Sequence, residues 1–90
     1  MKSLQVKITN PSYLHNKMAS ELQRIAGKYT CDVDVIVGTT KANAKSLINL
    51  MNAYVKVKVP GKIEIRTSNW KDEEQAIKEI AKFFGTIYHE

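Results

Sequence analysis

Hydrophobic residues change their spacing along this chain, and that change constrains the fold more than any other feature. Leu4, Val6 and Ile8 alternate with Gln5 and Lys7, the period of a strand with one buried face. Met18, Leu22, Ile25, Ala26 and Tyr29 then recur at helical spacing, which predicts a helix over about residues 16–28 with Gly27 near its stop. Val33, Val35 and Val37 return to a spacing of two, with Asp32, Asp34 and Ile36 on the opposite face. A chain patterned this way must set helices against a sheet.

Gly38-Thr39-Thr40 suits a tight turn into a third strand around Lys41–Ala44. Ser46 stands where an N-cap would precede the apolar helix carrying Leu47, Ile48, Leu50 and Met51. Val55, Val57 and Val59 alternate with Lys56 and Lys58 before Pro60-Gly61; that pattern predicts a hairpin running into Ile63 and Ile65. Asn69 is expected to cap a last helix with Asp72, Glu73 and Glu74 early and Lys78 and Lys82 late, an order that complements the helix dipole. Glu74 and Lys78 form a favourable i, i+4 pair. Ile77, Ile80, Ala81 and Phe84 make its buried stripe, and Gly85 stops it. The expected order is β-α-β-β-α-β-α, an α+β fold with helices on one face of a mostly antiparallel sheet.

Ninety residues suit one domain over 1–90, with 85–90 as a tail. No apolar run approaches the roughly 18 residues of a membrane span, and the alternating N-terminus lacks a signal-peptide core. The single cysteine, Cys31, excludes an internal disulfide framework, fits a cytoplasmic setting, and is expected to be a small buried residue. With two histidines and that cysteine, neither a metal site nor a cofactor is expected. Fourteen basic against nine acidic side chains give a net charge of +5, carried mostly by the first half. That balance suits an acidic partner, a phosphate or a nucleic acid, and chooses none of them.

The sharpest local feature is Tyr13-Leu14-His15-Asn16-Lys17-Met18-Ala19. His15 falls between the break at Asn10-Pro11-Ser12 and the first turn of a helix. Amides at a helix N-terminus are unpaired and favour anions, so an imidazole there could carry a phosphoryl group, with Lys17 adding a cation. The plain alternative is a surface histidine at a loop–helix junction.

This segment resembles the active-site motif of HPr, the histidine phosphocarrier of the bacterial sugar phosphotransferase system: glycine, an aliphatic residue, histidine, a small residue, arginine, proline, then a small residue. Leu14, His15 and Ala19 match; Tyr13, Asn16, Lys17 and Met18 stand for the glycine, small residue, arginine and proline. Lys45-Ser46-Leu47-Ile48-Asn49-Leu50-Met51 resembles the family's regulatory-serine segment, at the family's distance from His15. About two extra residues fall around Val55–Gly61. The resemblance implies an open-faced sandwich, a four-stranded antiparallel sheet covered on one face by three helices.

It also implies a function. His15 would accept a phosphoryl group from Enzyme I and pass it to a sugar-specific IIA component, with Asn16 and Lys17 holding the phosphate. Such a carrier is consumed and regenerated stoichiometrically, unlike an ordinary enzyme. Lys17 keeps the motif's charge but loses the bidentate fork of arginine. If the family glycine serves a positive φ, Tyr13 would be strained or force another loop path. Ser46 would be the target of an HPr kinase, although capping alone explains a serine there. Lys17, Arg24, Lys45, Leu47, Ile48 and Met51 would form a docking face for acidic partners around the histidine. Tyr54, Trp70 and Tyr88 read as packing residues, and His89 as part of the tail. An alternative is a paralogue that keeps fold and docking face as a regulatory module with weak or no transfer. Nucleic-acid binding lacks its signals, since no strand carries paired aromatics and no Gly-x-x-Gly loop appears.

Overall fold

The structure is a computed structural model and describes residues 1–85; Tyr88 and His89 lie outside the described residues. Its elements are β1 (Lys2–Ile8), a 3-10 turn (Pro11–Leu14), α1 (Asn16–Gly27), β2 (Asp32–Val37), β3 (Thr40–Asn43), α2 (Leu47–Tyr54), β4 (Gly61–Ser68) and α3 (Glu73–Phe84). The four strands form one antiparallel sheet in the order β1-β4-β2-β3. It is an α+β open-faced sandwich.

Alternation decides which face is covered. Leu4, Val6 and Ile8 on β1, Val33 and Val35 on β2, and Ile63, Ile65 and Thr67 on β4 are buried beneath the helices. Leu22 and Ile25 of α1, Leu50 of α2, and Ile77, Ile80 and Phe84 of α3 close the core from above. Each such side chain contributes about 1.5–3 kcal/mol on burial. Thr67 is a buried polar residue in this layer, and its hydroxyl donates to the Glu73 carbonyl at 3.0 Å. Cys31 is buried, as expected of a small apolar side chain.

Three expectations need correction. The Val55–Val59 segment is not a strand: Val55 ends α2, and a loop with a cis Val59–Pro60 bond leads into β4. Its alternation has the right period, but a hairpin would need an edge of β4, and β4 is already paired with β1 and β2 on its two sides. Asn69 does not cap α3. It takes φ 72 and donates to Asp32 at 2.6 Å, while Asp72 occupies the cap position. Trp70 is 50% exposed rather than packed, since it falls in the turn between the end of β4 at Ser68 and the start of α3. Elsewhere the pattern held: Gly85 ends α3 at φ 72, and Glu74 and Lys78 lie 3.8 Å apart.

Candidate functional site

Asn10 starts the site. Its side-chain oxygen accepts from the Ser12 amide at 3.0 Å, and Pro11 opens the 3-10 turn. That turn ends at His15, whose extended backbone (φ −78, ψ 156) serves as the N-cap of α1. The His15 amide donates to the Ser12 carbonyl at 3.2 Å, and the His15 carbonyl accepts the first helical bond, from Ala19, at 3.0 Å. Among the described residues the amides of Asn16, Lys17 and Met18 have no acceptor, as expected for the first turn of a helix. The imidazole makes no capping bond. It is exposed, in a shallow depression of about 480 Å³ lined by Leu14, His15, Asn16 and Lys17.

Tyr13 is not strained. It sits in the 3-10 turn, and Asn69 is the one non-glycine among the described residues with positive φ. Its ring packs on α3, with centroids 6.1 Å from Phe83 and 5.6 Å from Phe84. The tyrosine therefore anchors the loop that presents His15.

Beside the depression lies a groove of about 330 Å³ between the 3-10 turn and the end of α2, lined by Leu14, Asn16, Met51, Tyr54, Val55 and Val57. The sequence reading put Met51 on this face and missed Leu14, Val55 and Val57. Val55 follows Ile48 by two helical turns, a signal that was available. Both are open to solvent, Ile48 at 72% and Val55 at 82%, whereas Leu47 and Met51 are half-buried against the core. Tyr54 is buried, and its hydroxyl has no partner among the described residues; burial pushes its phenol up to about 12.

The cationic rim departs from the expected one. Lys17 stands beside His15, but Arg24 and Lys45 do not surround it. Arg24 lies nine residues along α1, about 13 Å from the histidine's end, and is paired with Glu21. The Lys45 ammonium donates to the Tyr29 carbonyl at 2.7 Å, near the far end of that helix. Ser46 is the N-cap of α2, and its hydroxyl accepts from the Asn49 amide at a long 3.4 Å. Among the described residues no His, Cys, Asp and Glu group could hold a metal ion, and no helix is long and apolar enough to cross a membrane.

A family model describing the phosphorylation site of the HPr component of the phosphotransferase system matches residues 2–86. The chain belongs to the HPr family. Phosphocarrier protein HPr of Buchnera aphidicola subsp. Baizongia pistaciae is 32% identical over 82 residues, covering 91% of this chain and 93% of the relative. Among solved structures, HPr-C-His from Thermoanaerobacter tengcongensis aligns with a TM-score of 0.81 at 27% identity, covering 97% of this chain and 99% of its own. A histidine-containing phosphocarrier protein from Mycoplasma aligns at 0.80 with 28% identity, covering 90% and 89%. The HPr family accounts for a histidine exposed at a helix N-terminus, and implies phosphotransferase-system proteins as partners. This HPr-type chain differs in having an aromatic anchor at Tyr13 and lysine where the family motif has arginine.

Proposed function

We propose that His15 accepts a phosphoryl group from the phosphohistidine of Enzyme I and passes it to a IIA component. The observation that supports this reading is the placement of His15: exposed, at the N-cap, unused in capping, and followed by three amides with no acceptor among the described residues. The Nδ1 lone pair attacks phosphorus as the donor's N–P bond breaks, and the bond electrons return to the donor imidazole. The three phosphoryl oxygens then accept from the amides of the first turn, where the helix dipole favours anions. Lys17 adds a point charge, and the Asn16 side chain offers an amide donor. In the onward transfer a nucleophile of IIA attacks phosphorus as the His15 N–P phosphoramidate bond breaks, and the bond electrons return to the His15 imidazole.

Ile48, Val55 and the groove beside Leu14 supply the apolar part of the docking face, with Leu47 and Met51 at its base. Ser46 caps α2, and phosphorylation by an HPr kinase would place a dianion beside this face and repel an acidic partner. The proposed setting is the cytoplasm, with no resident cofactor.

Transfer of labelled phosphate from phosphoenolpyruvate through Enzyme I to this protein, and then to IIA, tests the reading. Label that appears on wild type and leaves it on addition of IIA supports it. Absence of label at every Enzyme I concentration overturns it and favours the regulatory paralogue.

A further inference from the structure

Residues 1–20 and 35–63 contain eight lysines and no aspartate or glutamate. The strand register gathers several of these lysines at the end of the molecule that holds His15. Lys7 lies directly opposite Lys62 across β1 and β4, an arrangement of like charges that costs stability. The nearest carboxylate in the register, Glu64, is held by Arg66 at 2.7 and 3.0 Å and faces Gln5. Lys58 is brought alongside by Gly61, whose Cα approaches so closely that an added Cβ would stand 2.0 Å from the Lys58 carbonyl oxygen. Lys56 donates to the Thr40 hydroxyl at the start of β3 at 3.0 Å. All four are exposed, and no carboxylate pairs with Lys7, Lys58 or Lys62 among the described residues.

Of the three cations expected at the docking rim, Arg24 is held by Glu21 and Lys45 by a backbone carbonyl, which leaves Lys17 beside His15. Besides Lys17, the unpaired cations at this end of the molecule lie along the β1–β4 end and the Val55–Gly61 loop. That loop is continuous with the groove beside His15, since Val55 and Val57 line both.

We propose that Lys7, Lys56, Lys58 and Lys62 form a second docking edge that receives an acidic surface of the phosphoryl donor, extending its contact from His15 across the groove. This inference rests on the phosphocarrier reading. A protein fits the edge better than the other polyanions. The loop interleaves exposed Val55 and Val59 with its lysines and carries no aromatic on which a base could stack. The groove is concave and suits a protruding apolar side chain, which a lipid plane does not offer.

The test is the initial rate of phosphoenolpyruvate-driven phosphorylation by purified bacterial Enzyme I, as a function of the concentration of this protein. The triple variant Lys7→Ala/Lys58→Ala/Lys62→Ala removes exposed side chains only. Its KM should rise about tenfold with kcat within about twofold, and its salt dependence should flatten. Arg24→Ala should change KM less than about twofold. An unchanged KM in the triple variant overturns the proposal, including the case where the same lysines govern binding to a DNA duplex or to phosphatidylglycerol vesicles. If wild type is not labelled at all, the carrier reading falls first, and calorimetric titration with unphosphorylated Enzyme I decides the edge. Binding lost in the triple variant supports it; no binding by wild type overturns it.

Discussion

The ring of Tyr13 lies 5.6 Å from that of Phe84, tying the loop before His15 to the last turn of α3. The family motif has glycine at this position, so this chain trades loop freedom for an aromatic anchor. Tyr13 is half-buried, and edge-on contact with Phe83 adds to the packing.

Tyr13→Gly should lower the unfolding free energy by about 2–3 kcal/mol, from lost apolar burial and aromatic contact. Urea denaturation measures this. A variant as stable as wild type would show that the anchor contributes nothing.

Gly61→Ala tests the entry to β4. An added Cβ would stand 2.0 Å from the Lys58 carbonyl oxygen, which is backbone and cannot swing aside. The substitution should cost more than about 2 kcal/mol. A cost below about 0.5 kcal/mol would mean that the loop relaxes freely.

The Tyr54 hydroxyl is buried without a partner among the described residues, and an unmade hydrogen bond of this kind costs about 1–3 kcal/mol. Tyr54→Phe removes the hydroxyl and keeps the ring. Thermal or urea unfolding should show stability unchanged or raised by about 1 kcal/mol. A clear loss would reveal an acceptor for the hydroxyl.

Asp72 clasps the start of β2 to the start of α3. Its carboxylate accepts from the Thr30 amide at 2.7 Å and the Cys31 amide at 3.0 Å. Partial burial works against its charged form, but these amides together prevail and hold the carboxyl below its ordinary value of 3.8. A carboxyl depressed on folding contributes stability that is complete above 3.8 and is lost as pH falls through the lower folded value. Denaturation midpoints of Asp72→Asn should therefore fall less steeply than wild type as pH drops below about 4. Parallel pH profiles would contradict this.

Much of the fold was legible because local pattern and tertiary need agree. Leu4, Val6 and Ile8 alternate and are buried, Ile77, Ile80 and Phe84 recur helically and are buried, and Ser46 caps the helix it precedes. The Val55–Val59 alternation misleads because a period of two needs a free sheet edge, and sequence does not say which edges are taken. The Pro11 break put His15 at a loop–helix junction, where the structure has it, but its reading as a phosphoacceptor came from the resemblance to the HPr motif. The role of Tyr13 was not legible, since its partners Phe83 and Phe84 lie some seventy residues away in the chain. Arg24 and Lys45 read as free cations in sequence, and only the fold shows them bound to Glu21 and the Tyr29 carbonyl.

The central claim is that His15 carries the phosphoryl group, and the most direct measurement is the mass and acid lability of the protein after incubation with phosphoenolpyruvate and Enzyme I. One acid-labile phosphoryl group on the peptide containing His15, absent from His15→Ala, is the predicted result. A protein that stays unmodified, or carries an acid-stable phosphate at another residue, would contradict it.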